Sequence, residues 1–165
     1  MCNTMTRNFK YSGAIVLGMH DALVSLTGMI GGLTMALADR KLIILSAVIA
    51  SVAAGLSMGA SCYLAEKTHE NNCAVRAGIT TGAAYIATCA LLILPYIIIF
   101  DTYYAMLAAF AMAVVIIFGC NWFICRKRGC GFWRHAFEML AICVGVSIVA
   151  FAIGEFAKFS LGVNI

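Results

Sequence analysis

Asp21 is an acid inside an apolar run, and the residues around it decide what it can do. Gly18, Asp21, Ser25, Gly28, Gly32 and Met35 follow one another at intervals of three or four residues, a spacing that puts them on one face of a helix. Small residues on that face let another backbone come close. A carboxylate among them must face protein, water or a bound cation rather than lipid. Such a charge is costly unless it is paired, hydrated or protonated, so Asp21 suits the exchange of a proton for a metal ion. The plainer alternative is an acid that only hydrogen-bonds a neighbouring helix. His20 points about 100° round the helix from Asp21 and reads as a packing or interfacial side chain rather than a ligand.

The second apolar run carries a softer set. Ser51, Gly55, Met58 and Cys62 again share one stripe, which reaches Glu66, His69, Glu70 and Cys73 if the helix continues past the membrane. Oxygen, nitrogen and thioether donors together suit a borderline divalent ion such as Fe2+ or Mn2+ better than a Ca2+ cage. The candidate metal-binding residues are therefore Asp21, Met58, Cys62, Glu66, His69 and Glu70. Against this stands a plain reading in which Met58 and Cys62 are core and Glu66, Lys67 and Glu70 form a solvated helix end. Cys120, Cys125 and Cys130 flank a basic loop and read as packing residues. Glu138 and Glu155 either line the two ends of a path or sit at the headgroups. No hydrolase constellation, phosphate loop or nucleotide fingerprint is present.

The elements that must position these groups are membrane spans. Hydrophobic residues make up 64% of the 165-residue chain and charged residues 11%, with mean hydropathy +1.00. A globular domain carries about 25% charged residues, so these few could not cover a surface against water. Five apolar segments, at 14–37, 42–65, 78–100, 103–125 and 136–158, are each long enough to cross a hydrocarbon layer of about 30 Å. The expectation is an all-α membrane protein with five transmembrane helices in a single transmembrane domain over 1–165. No cleavable signal peptide is expected, because residues 1–11 are polar and the run after them is too long for one.

Lys and Arg set the orientation. With the N-terminus cytosolic, Arg7, Lys10, Lys67, Arg76, Arg126, Lys127, Arg128 and Arg134 fall inside, and only Arg40, Lys41 and Lys158 fall outside. The eight cysteines contain no C-x-x-C pair and read as reduced packing residues. Gly28/Gly32, Gly55/Gly59 and Gly78/Gly82 are G-x-x-x-G pairs on consecutive helices, which favours close crossings within a subunit or across a dimer. Pro95 removes a backbone hydrogen bond late in the third helix and is a candidate kink. Aromatic residues near the span ends, Trp122 and Trp133 among them, read as interfacial anchors. No basic stripe with interleaved aromatics appears, so no nucleic-acid partner is expected.

The run Gly18-Met-His-Asp21-Ala-Leu-Val-Ser25 resembles the Gly-x-x-Asp-Gly-Leu-Val-Ser signature of the vacuolar iron transporter family. Ala54-Gly55-Leu-Ser57-Met58-Gly-Ala-Ser-Cys62-Tyr63 is similar to that family's second-helix motif, and the stretch from Ala77 through Tyr85 to Pro95 to its third helix. The resemblance implies five helices, a homodimer, and a pathway for Fe2+ or Mn2+ near the two-fold axis, driven by proton exchange. The family's intramembrane Asp maps to Asp21 and its second-helix Met to Met58. Three positions depart from the pattern: Ala22 replaces a Gly, Cys62 replaces a Glu, and Leu92 stands where a first proline is common. The long Glu-rich cytosolic insertion of plant-type members is also missing, because only residues 66–76 connect the second and third spans. Glu66, His69 and Glu70 are a candidate reduced substitute.

The expected function is a proton-coupled transporter that exports Fe2+ or Mn2+ from the cytosol, with no resident cofactor and no enzymatic activity. Its expected partners are the lipid bilayer, a second copy of the chain and the divalent ions. A bacterial or archaeal inner membrane is the expected location, with a vacuole-like organelle membrane as the alternative. The rival class is a non-transporting scaffold or assembly protein whose glycine faces at Gly28, Gly32, Gly55 and Gly59 bind partner helices. An intramembrane enzyme using Glu66, His69 and Glu70 has the least support, having no second catalytic cluster.

Overall fold

A chain in hydrocarbon must satisfy its backbone N–H and C=O groups internally, and an unbroken helix does so along its own length. The computed structural model describes residues 4–36, 39–68, 73–128 and 132–161, with side chains described for 13–34, 39–68, 73–122, 133, 137–150, 152, 153 and 156. It consists of α1 (Thr4–Ala36), α2 (Arg40–Thr68), α3 (Ala74–Ile98), α4 (Thr102–Arg128) and α5 (Phe132–Leu161). Among the described residues four stretches are long and apolar enough to cross a membrane: Gly13–Thr34, Arg40–Thr68, Ala74–Ile98 and Thr102–Trp122. The described apolar stretch of α5 is the shorter Phe137–Ala150. Most helices overrun the expected spans, because polar turns outside the apolar run continue the helix where no Gly or Pro stops it.

α1 is the hub: it touches all four other helices, and α2 packs most extensively on α3. Leu23 and Leu26 of α1, Ile43 of α2, Leu92 and Tyr96 of α3 and Ile117 of α4 meet in one core cluster. The outward faces remain apolar, with Leu45, Leu56, Ile79, Ile98 and Val115 all exposed. Such a surface suits lipid rather than water.

The tight turns are built from acids at helix starts. Asp39 accepts the Lys41 N–H on its carboxylate at 2.8 Å and the Ile43 N–H on its carbonyl at 3.2 Å. Asp101 does the same for Tyr103 at 3.0 Å and Ala105 at 2.9 Å. Each carboxylate thereby satisfies an amide proton that the first turn of α2 or α4 leaves over, while its carbonyl accepts the first regular bond of the helix. Arg40 joins the two turns, donating to the Ile99 carbonyl at 2.9 Å and lying 4.9 Å from the centre of the Phe100 ring. At Pro95, α3 continues as helix to Ile98, and the Ile99 N–H closes onto the Pro95 carbonyl at 2.8 Å.

Small residues let the helices touch backbone to backbone. An added Cβ at Gly78 would lie 2.6 Å from the Gly59 carbonyl oxygen, and one at Gly82 2.9 Å from that of Gly55. The pairs on α2 and α3 therefore face each other in one seam. Gly28 and Gly32 face α5 instead, where a Cβ at Gly32 would lie 3.2 Å from the Ala150 carbonyl oxygen. The G-x-x-x-G faces serve packing inside the chain.

Gly78→Ala should cost about 1–3 kcal/mol, because the methyl group has rigid backbone to displace. Gly119→Ala, where a Cβ meets nothing within 4 Å, should shift stability by no more than about 1 kcal/mol. Unfolding in mixed detergent–SDS micelles measures both. Equal effects at the two positions would show that the seam is looser than described.

Candidate functional site

The polar residues of the spans gather where α1, α2 and α3 meet. A Cβ at Gly18 would fall onto the Thr81 backbone carbonyl, so nothing separates α1 from α3 there. One turn or two further on, the Ser25 hydroxyl donates to the Asp21 backbone carbonyl at 2.7 Å. The same hydroxyl lies 2.8 Å from the Tyr85 phenol. With the Ser25 proton committed to Asp21, the phenol is the donor in that second bond. Cys89 lies one turn further along α3 and is buried, as is Ser51 of α2. Ser51 donates to the Ala47 carbonyl at 2.6 Å.

The Ser25–Tyr85 bond thus joins α1 to α3. Tyr85 is 3%, Cys89 0% and Ser51 5% exposed. Buried polar groups are costly without partners; Tyr85 has Ser25 and Ser51 has the Ala47 carbonyl. The Asp21 carboxylate lies one turn before Ser25 on α1. It is exposed. Asp39 and Asp101 are occupied as helix caps, whereas Asp21 lies within Gly13–Thr34, a stretch long and apolar enough to cross a membrane.

Met58 is half-buried and packs against the core. Its neighbour Gly59 meets Gly78 and Gly82, and Gly18 meets Thr81 and Tyr85. Met58 and Gly18 therefore lie at a similar height, about one turn from Asp21. Cys62 is tied to α3: the Thr81 hydroxyl lies 3.2 Å from its Sγ. That contact gives Cys62 an interhelical role at the position where the resemblance expects a carboxylate. Glu66 is half-buried near the end of α2. His69 and Glu70 lie outside the described residues. Cys73 is at the start of α3, off the α2 stripe. Among the described residues no three His, Cys, Asp or Glu side chains stand close enough to hold a metal ion. A cation at Asp21 would need its other ligands from Met58, from water or from a second copy.

Two features were not legible beforehand. His20 is half-buried and buries its Nε2 with no hydrogen-bond partner among the described residues. The run Thr81, Tyr85, Cys89, Leu92 and Tyr96 forms a buried face of α3, and its three- and four-residue spacing was the available sign.

A model of the VIT family matches residues 12–76. The matched stretch contains Asp21, Met58, Cys62 and Glu66, together with α2 and the described part of the first apolar span. No curated protein matches the chain.

If the Tyr85–Ser25 bond joins α1 to α3, Tyr85→Phe and Ser25→Ala should not act independently. A double-mutant cycle read by unfolding in micelles should give a coupling of about 0.6 kcal/mol, the usual size for such bonds in membrane proteins. Strict additivity would show that the contact contributes nothing.

Proposed function

Taking the chain as a vacuolar iron transporter family member, on the match over residues 12–76, we propose that it exports Fe2+ or Mn2+ from the cytosol in exchange for protons. The family implies membrane metal-ion transport, and the long apolar helices make the chain an integral membrane protein. The metal, the coupling ion and the direction are the proposal. The observation that carries it is Asp21: an exposed carboxylate in a stretch long and apolar enough to cross a membrane, one turn from the Ser25–Tyr85 bond between α1 and α3. Lipid is not a tolerable neighbour for that group, so water or a cation must reach it.

In the proposed cycle a protonated Asp21 is neutral and waits for metal. An arriving divalent ion displaces the proton and binds the carboxylate, with the Met58 thioether as a soft second ligand. Release on the far side lets Asp21 take up a proton again. The exchange gives two access states different interactions with the cargo, as any ligand-driven shift between states requires. Two copies of the chain related by a two-fold axis, each supplying Asp21 and Met58, would raise the ligand number to what a transition metal accepts. Cys62 and Thr81 hold α2 on α3 beside this path rather than ligating the ion.

The scaffold reading needed glycine faces free to bind partner helices. Gly28 and Gly32 pack on α5, and Gly55 and Gly59 meet α3 within one chain, with only the outer side of the α2–α3 seam left open.

Proteoliposomes loaded with a metal-sensitive dye test the proposal. The unaltered chain should move Fe2+ and Mn2+ faster when protons can flow the opposite way, and Asp21→Asn should fall to the rate of empty vesicles. Wild-type flux through Asp21→Asn would overturn the mechanism, and flux indifferent to a proton gradient would overturn the coupling.

A further inference from the structure

The seam between α2 and α3 has an outer side that the transport reading does not use. Because glycines bring the two backbones together, the larger residues flanking them stand apart and leave a groove of about 570 Å3. Gly55, Gly59, Gly78 and Gly82 form its floor, and Leu56, Ile79 and Ile86 are among its walls. Leu56 is 66% and Ile79 67% exposed, so the groove opens outward rather than into the bundle. Its volume falls within the range of about 300–1,000 Å3 typical of ligand pockets. Its lining contains no charged residue.

One end of the groove differs from the rest. Tyr63 and Val75 close it, and each is attended by an exposed cation. The Lys67 ammonium lies 5.6 Å from the centre of the Tyr63 ring, and Arg76 follows Val75 in the first turn of α3. Glu66, the acid beside Lys67, is half-buried, whereas Lys67 and Arg76 are exposed. A long apolar slot ending at two cations matches a molecule with an apolar tail and an anionic head.

We infer that this groove seats one acyl chain of an anionic phospholipid, with the headgroup phosphate held at Lys67 and Arg76. The chain fills the gap that the glycine contacts leave open. The cations select the anionic headgroup from the surrounding bilayer. The site is independent of Asp21 and of the transport cycle.

Quenching by brominated lipid tests this in vesicles of phosphatidylcholine. An indole is introduced by Ile79→Trp in a chain whose own indoles are removed by Trp122→Phe and Trp133→Phe. Phosphatidylglycerol with a dibrominated acyl chain should quench it more than the same fraction of dibrominated phosphatidylcholine. Lys67→Gln and Arg76→Gln should each reduce that preference about fivefold. Leu45→Trp, exposed on α2 away from the groove, should be quenched alike by both lipids. Equal quenching by the two headgroups at Ile79→Trp would overturn the inference. So would quenching by neither, with disulfide cross-linking of Ile79→Cys between copies, because a second chain would then fill the groove. Native mass spectrometry of the unaltered chain gives an independent reading. A phosphatidylglycerol adduct should survive activation that strips phosphatidylcholine, and loss or retention of both alike would count against the site.

Discussion

The arrangement depends on backbones that touch. At Gly18 nothing separates α1 from the Thr81 carbonyl, and at Gly59 nothing separates α2 from Gly78. Within lipid there is little hydrophobic force to press helices together, so contact distance and the bonds it permits must hold them. The Tyr85–Ser25 bond and the Thr81–Cys62 contact both lie beside these close approaches. A bulkier residue at Gly18 would push α3 away from α1 and stretch the Tyr85–Ser25 bond one turn from Asp21.

The helices were legible because hydropathy is a statement about solvent, and solvent sets where spans must be. Their ends were less so: nothing in an apolar count says that Glu66 to Thr68 continue α2, or that Asp39 and Asp101 serve as caps rather than surface charges. Asp21 could be singled out because an acid in an apolar run is expensive wherever it points. What covers each glycine could not be read. Spacing shows that a face is small, but Gly28 would read the same against α5, a second copy or lipid. The buried Nε2 of His20 escaped for a related reason, since periodicity places a residue on a face without saying how deep the neighbouring helix sits.

Cys62 shows how a departure from a motif can be understood physically. A carboxylate there would stand against the buried Thr81 hydroxyl, in the same seam that brings Gly59 onto Gly78. A thiol is smaller and nearly apolar, so it accepts that environment at little cost. The exchange moves the position from ligand chemistry towards helix packing, and leaves Asp21 and Met58 as the candidate ligands within the spans.

The glycine seam also limits how this sequence can change over time. Most tight contacts tolerate drift, because a side chain that grows can be answered by one opposite that shrinks. Here Gly59 meets Gly78 and Gly82, and Gly55 lies against Gly82. At Gly59, Gly78 and Gly82 the first atom an added Cβ would meet is backbone, so there is no side chain opposite to shrink, only a helix to shift. Gly55 differs, because its added Cβ would meet the Ile86 side chain, which a smaller residue could replace.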